Sequence, residues 1–441
     1  MKVPRSTGEA LRIIERFDSL PIEKRLEVFR KLSSQAREEL IQTILNPGEI
    51  VRRISEEEMY YTIKHLGTEN ALNLVRATTG KQLKYLLDLE LWRKDMFDEY
   101  AARRWLEIID GVGTEKILQF VQVADPELLL ICLARLIKVS IRNPDVDLLE
   151  QTDTLPAFTL DDLFFVEFRS PAIEETVKHF LEVIFRWNTD YYFGLMEEIA
   201  RGIHLENEER ARKWRQARLA DHGFPEFDEA TEIYHYLRPS EVLTSPDAST
   251  RREADDYSDP RSLLEYPLII PDTEDLFRRC LNEIEDSAEK DRISMELAHL
   301  ANKVMVADAR EPGSLDEMQR TLRKVSGYIN IALEELCGDD TSVGLELLRS
   351  NHMEILFRRG FSMILDLRKQ AHKLIREYEG GVENLGHPLA ELIKGLIQKR
   401  PFYAGNVVGE KNGRDFRSVE DIHIIQDLMD TSAIEDRWQP I

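Results

Sequence analysis

The residues Gly67-Thr68-Glu69-Asn70-Ala71-Leu72-Asn73-Leu74-Val75 return in register as Gly113-Thr114-Glu115-Lys116-Ile117-Leu118-Gln119-Phe120-Val121, and this repetition constrains the fold more than any other feature. The interval from Thr68 to Thr114 is 46 residues. A period of roughly 40–47 residues is that of short helices stacked into a superhelix. Upstream, Met59, Tyr60 and Ile63 align with Trp105, Leu106 and Ile109; downstream, Thr79 aligns with Asp125. A fainter copy runs from Ile22 to Ile44, where Leu26 matches Leu72 and Ser33 matches Thr79. The helices between these caps are about 10–14 residues long, too short to persist alone in water. Each carries one apolar stripe, such as Ile117, Leu118 and Val121, and must bury it on a neighbour. The sequence therefore predicts an all-α fold with a stacked short-helix domain over residues 1–150.

Caps support this reading. Ser6 with Glu9 and Ser55 with Glu58 form capping-box patterns, and Pro21 and Pro126 stand where helices start. From Leu155 the period changes, and 157–168 reads as one small β-hairpin turning at Asp161-Asp162 and packing on helices. A middle helical region spans 151–239. Residues 240–271, polar and rich in charge, read as a linker or surface excursion. Over 272–441 the helical patterns lengthen (Ala288–Asp308, Ser314–Leu336, Thr341–Tyr378 with Gly360 as a break), which predicts a bundle.

Charge narrows the function classes. With 82 acidic against 59 basic side chains the net charge is −23, which argues against nucleic-acid partners. No apolar run reaches the roughly 18–20 residues of a membrane span, so no membrane insertion is expected. Nor does the N-terminus show the apolar core of a secretory signal. Cys132, Cys280 and Cys337 form no CxxC pair, which fits a reducing cytoplasm without a cysteine zinc site. No cofactor is expected, because no phosphate loop, G-x-S-x-G or HExxH is present.

Glu-x-x-His occurs at Glu232/His235, Glu296/His299 and Glu420/His423; di-iron bundles use this spacing with further glutamates on other helices. Surface pairing is the commoner outcome, so no metal is expected, and Glu296 with His299 is the nearest to a ligand pair. Arg215 and Arg218, one turn apart, can grip an anion, and Asp221 or His222 can move a proton. The plainer reading pairs Arg218 with Asp221 and ends the helix at Gly223. Trp92 can anchor a partner or staple one repeat to the next, with Asp95 capping the helix that follows. The acidic runs Glu56–Glu58 and Asp339-Asp340 read as magnesium sites or as favourable helix starts.

Residues Leu66 to Leu133 loosely resemble the cytoplasmic helical domain of bacterial magnesium channels and the helical modules of the flagellar motor switch protein. The channel's magnesium ligands have no counterpart here. Three segments, Gln82–Trp92, Arg218–Pro225 and Arg414-Asp415-Phe416-Arg417-Ser418, resemble an uncharacterised bacterial family, domain of unknown function 6178. That resemblance implies no activity. The expected function is therefore non-enzymatic: protein–protein interaction or scaffolding, with another protein or a second copy of the chain as partner. The alternatives are an enzyme with its site around Arg215–His222 and a divalent-cation (magnesium) sensor.

Overall fold

The computed structural model describes residues 16–30, 32–93, 95–143, 145, 155–202, 205–242, 275–310, 314–377, 381–404 and 413–437. The Ser6 cap and most of the 240–271 linker lie outside them. The chain forms two compact units, Met1–Asp221 and His222–Ile441. It is all-α with two small antiparallel sheets among the described residues.

The first unit begins with α1 (Ile22–Arg30), α2 (Ser34–Thr43), α3 (Pro47–Val51), α4 (Glu56–Leu66), α5 (Leu72–Ala77) and α6 (Gly80–Glu90). It continues with α7 (Glu99–Val112), α8 (Thr114–Val123), α9 (Pro126–Ala134), α10 (Glu174–Trp187), α11 (Thr189–Arg201) and α12 (Leu205–Asp221). The repeat glycines share one role. Gly67 and Gly113 hold φ of 82° and 123° and end α4 and α7, a conformation that a residue without Cβ adopts freely. The copies then diverge: Thr114 starts α8 directly, whereas Thr68–Asn70 forms a 3-10 turn before α5. Thr79 caps α6 in a full capping box with Gln82. Its equivalent Asp125 makes no such cap on α9, because its carboxylate binds Lys84 and Arg218 instead.

The two copies pack on each other through small and polar contacts. A Cβ on Gly80 would lie 2.8 Å from Val123 Cγ1, so α6 and α8 approach through a glycine. Lys116 of α8 reaches the C-terminal end of α5, where its Nζ donates to the Thr78 carbonyl (2.9 Å) and hydroxyl (2.7 Å). Burial pushes the Lys116 pKa down to about 7, while the helix-end carbonyls favour its charged form.

The expected hairpin is present, as part of a three-stranded sheet. Strands β4 (Phe158–Thr159) and β5 (Phe164–Phe168) pair antiparallel. Asp161 organises the turn by accepting from the Leu163 and Phe164 amides at 2.9 and 2.8 Å. An unforeseen strand β3 (Ile137–Ile141) covers the other edge of β5, with Val139 opposite Val166. A second unforeseen hairpin, β1 (Trp92–Arg93) with β2 (Met96–Phe97), turns the chain between α6 and α7. Asp98, rather than the expected Asp95, caps α7.

The second unit contains α13 (Phe227–Thr231), α14 (Leu276–Glu283), α15 (Ser287–Ala307), α16 (Leu315–Cys337), α17 (Thr341–Ser350), α18 (Met353–Glu377), α19 (Leu389–Leu396) and α20 (Val419–Arg437). Its longest helices, α16 and α18, pack face to face around Tyr328, Phe357 and Phe361, whose rings lie 5.2–5.5 Å from Tyr328. Gly360 does not break the helix. It lies against the Tyr328 carbonyl, where a Cβ has no room, and lets the two backbones touch. The interruption falls instead at Asn351 and His352, between α17 and α18.

Candidate functional site

The arginines singled out in the sequence are engaged within the first unit. Arg218 forks onto both oxygens of Asp88 at 2.7 Å and reaches Asp125 at 2.8 Å. Arg215 donates to the Asp88 carbonyl (2.7 Å) and lies 5.6 Å over the Trp92 ring. Burial raises the Asp88 pKa, with Arg218 opposing it. Arg218 thus does not pair with Asp221, which is exposed at the end of α12. Trp92, 6% exposed, is enclosed by Arg215 and Phe97. His222 belongs to the second unit, where its carbonyl accepts from Asn302. So Arg215, Arg218 and Trp92 gather around Asp88 as a structural network within the first unit.

Glu296 is likewise held by other residues. Glu296 accepts from Arg292 (2.6 Å) and the Met353 amide (3.0 Å) and faces His352. Burial opposes its ionisation, yet these partners hold its pKa below the usual carboxylate range. His299 packs under Gly223. No group of three metal-capable side chains occurs among the described residues.

A different constellation forms in the second unit. A cavity of about 360 Å³ is lined by Asp308, Arg310, Lys324, Arg400, Phe402, Gly413, Arg414 and Asp415. Its size falls at the lower end of the roughly 300–1,000 Å³ of small-molecule sites. Four segments build it, one of them the stretch 400–403 that supplies Arg400 and Phe402.

The first is the end of α15. The Arg310 amide donates to the Met305 carbonyl and the Ala309 amide to Val306, both at 2.9 Å. This is a Schellman ending, with Ala309 at φ 54° where glycine is usual. The tight turn places Asp308 and Arg310 side by side. The second is α16, buried on all sides from Lys324 to Leu333. Lys324 enters that apolar stretch because Asp308 receives it at 2.7 Å. The third is the segment 413–418. It lies on α16 at Gly327, whose Cβ would meet the Phe416 carbonyl at 2.5 Å. Asn330 donates to the Arg417 carbonyl (2.9 Å), and Glu334 accepts from the Val419 amide (2.6 Å). Tyr403 and Arg414 exchange backbone hydrogen bonds at 2.7 and 2.9 Å, and Gly413 permits this at φ 80°.

Asp308 is the hub. Its Oδ1 accepts the Tyr234 hydroxyl at 2.7 Å and faces Arg400 Nε at 3.4 Å; its Oδ2 meets Lys324 at 2.7 Å and Arg310 at 3.5 Å. Arg400 is further fixed by the Tyr234 ring, 3.7 Å from its guanidinium carbon, and by the Ala307 carbonyl. Arg414 forks onto Asp421 at 2.7–2.8 Å and stacks on Tyr403. Glu317 faces Arg310 at 3.5 Å. Counted with Asp421 and Glu317, acids and cations balance. Position breaks the balance, because those two acids do not line the cavity while all four cations do. Asp415 differs from Asp308. The cation nearest its carboxylate is Lys324 at 3.9 Å, and the side chain is a quarter exposed. Burial raises its pKa, with Lys324, Arg310 and Arg417 pulling it down and Asp308 adding to the rise.

Fixed guanidinium and ammonium donors around a small cavity suit an oxyanion such as phosphate or carboxylate. Of these residues the sequence singled out Arg414 and Asp415 in a family resemblance and Asp308 as the end of a helical pattern, none of them with a role in a site. The signal that marks the site is Lys324, a lysine heading the run Lys324 to Leu333 that carries no other charge.

The sequence model of one family, described as a family of unknown function (DUF6178), matches residues 14–438. No curated protein and no solved structure matches the chain, so the likeness to the magnesium-channel domain finds no support there.

Proposed function

We propose that this chain, which belongs to the DUF6178 family of unknown function, is a binding protein whose second unit holds a small anionic ligand between Asp308 and Asp415. The supporting observation is the lining itself. Arg310, Lys324, Arg400 and Arg414 converge on one cavity in a chain of net charge −23. Their orientation is set beforehand by Asp308, Asp421 and Glu317, which lowers the ordering cost of binding. The test is calorimetric titration of the full chain with inorganic phosphate and with citrate. Binding by wild type, weakened about tenfold or more in Arg400→Ala and Arg310→Ala, supports the reading. No heat and no rise in melting temperature with any anion would end it, since a ligand of the folded state must stabilise it.

A second reading, protein binding by the first unit, has one observation in its favour. Met96 and Tyr100, neighbours on β2 and the start of α7, are 75% and 74% exposed. Apolar surface of this kind marks contact sites when it is contiguous. A partner recovered by the wild type and lost with Met96→Ser and Tyr100→Ser would favour it. The free thiols of Cys132, Cys280 and Cys337 suit a cytoplasmic setting, and we place the protein there.

A further inference from the structure

We infer that the pocket selects an oxyanion that still carries a proton, a phosphate monoester or inorganic phosphate, and discriminates against sulfate and phosphodiesters through the carboxylate of Asp415. The inference rests on the anion-binding reading above and names its ligand class.

The four cations supply donors only, since neither guanidinium nor ammonium can accept a hydrogen bond. A fully ionised oxyanion satisfies them and needs nothing else. Yet the lining also contains two carboxylates, and they are unlike. Asp308 is surrounded by Tyr234, Lys324, Arg310 and Arg400, and its oxygens are occupied by those four groups. Asp415 has no hydrogen bond to its carboxylate among the described residues, and its closest cation stands 3.9 Å away. It is held in the lining by its backbone: Phe416 beside it lies against Gly327, and the Asp415 carbonyl accepts from Arg414 at 3.0 Å. The other charged or titratable groups around it are Arg310, Asp308, Arg417 and Tyr328.

Lys324, Arg310 and Arg417 favour the charged form of Asp415 against its burial, and in that form the carboxylate accepts hydrogen bonds and donates none. Opposite sulfate or a phosphodiester, both without a proton near neutral pH, Asp415 meets only lone pairs and negative charge. Opposite a hydrogen phosphate or a monoester holding its second proton, it accepts a short charge-assisted O–H···O bond. A site built to accept a ligand's hydroxyl disfavours the analogue lacking it, and Asp415, a quarter exposed, does so through the lost hydrogen bond and the repulsion of like charges. The cavity also exceeds what one phosphate group fills, which leaves space for the organic part of a monoester beside Phe402.

Calorimetry on the full chain at pH 7 with four probes tests this: inorganic phosphate, glycerol 3-phosphate, sulfate and dimethyl phosphate. The expected result is binding of the first two and at least tenfold weaker binding of the last two. The tighter of the first two identifies free phosphate or a monoester as the natural source. In Asp415→Asn, sulfate should gain and phosphate should lose, closing the gap to within about threefold. Equal affinity of the wild type for phosphate and sulfate overturns the selectivity while leaving an anion site standing. Absence of binding by all four probes overturns the anion site itself. The wild-type comparison needs no variant, so a folding defect in Asp415→Asn does not shield the inference.

Discussion

The Lys324 ammonium meets the Asp308 carboxylate at 2.7 Å, with side chains only 3% and 7% exposed. Asp308 holds Arg310 and Arg400 as well, so one carboxylate orders three of the four cations around the cavity. Removing one member of a buried charge pair leaves the other uncompensated, at about 3–5 kcal/mol. Asp308→Asn is therefore expected to destabilise the protein by that amount in urea denaturation and to abolish anion binding. A loss under about 1 kcal/mol would show that the cations do not depend on it.

In the first unit, Arg218 offsets the buried Asp88. The folded-state pKa of Asp88 is already raised by burial, and Arg218→Ala removes the opposing charge. A carboxyl whose pKa rises on folding favours the folded state in its protonated form, and that advantage is lost as pH increases through the folded pKa. The variant should therefore lose about 3 kcal/mol at neutral pH, by the same buried-pair reasoning, and less at pH 4.5. Melting temperatures of both proteins at the two pH values decide it; an equal deficit at both contradicts the assignment.

Lys116 carries the opposite sign. Its pKa is depressed on folding to about 7 from the ordinary 10.5. Between those values the unfolded chain binds the extra proton, so stability rises with pH across that window. Relative to Lys116→Met, which cannot titrate, the wild type should gain up to about 1.4 kcal/mol per pH unit between pH 7 and 9. A pH-independent difference would show that the Thr78 carbonyl and the Arg76 carbonyl, which also accepts from Lys116 Nζ at 3.3 Å, keep the ammonium charged.

Ala309 sits at φ 54° in the turn that pairs Asp308 with Arg310. A residue with a Cβ is strained there by about 1–2 kcal/mol, whereas glycine is not. Ala309→Gly should be stabilising by up to about 1 kcal/mol in thermal denaturation, since glycine's greater unfolded-state entropy offsets part of the relief. Destabilisation would mean that the alanine methyl packs usefully.

The helical stack, the small hairpin and the long-helix bundle were legible in the sequence because caps, period and apolar stripes are local signals. The equivalence of Gly67 and Gly113 was legible for the same reason, and the structure adds their shared positive φ. Gly360 was misjudged because a glycine that breaks a helix and one that admits a neighbouring backbone look alike until the neighbour is known. Strand β3 was missed because its pairing partner lies 23 or more residues away across the sheet. Arg218 was assigned to Asp221 by proximity in sequence, whereas its partners are Asp88 and Asp125.

The amino-acid order by itself determined the class of fold, since a short amphipathic helix either buries its stripe or melts. It also left the chain strongly acidic. Only the tertiary structure decided which charges meet: Asp308, Lys324, Arg400 and Asp415 come from four separate segments. Charge pairing acts over a few ångströms of space and has no period along the chain, so no local pattern could bring these residues together on paper.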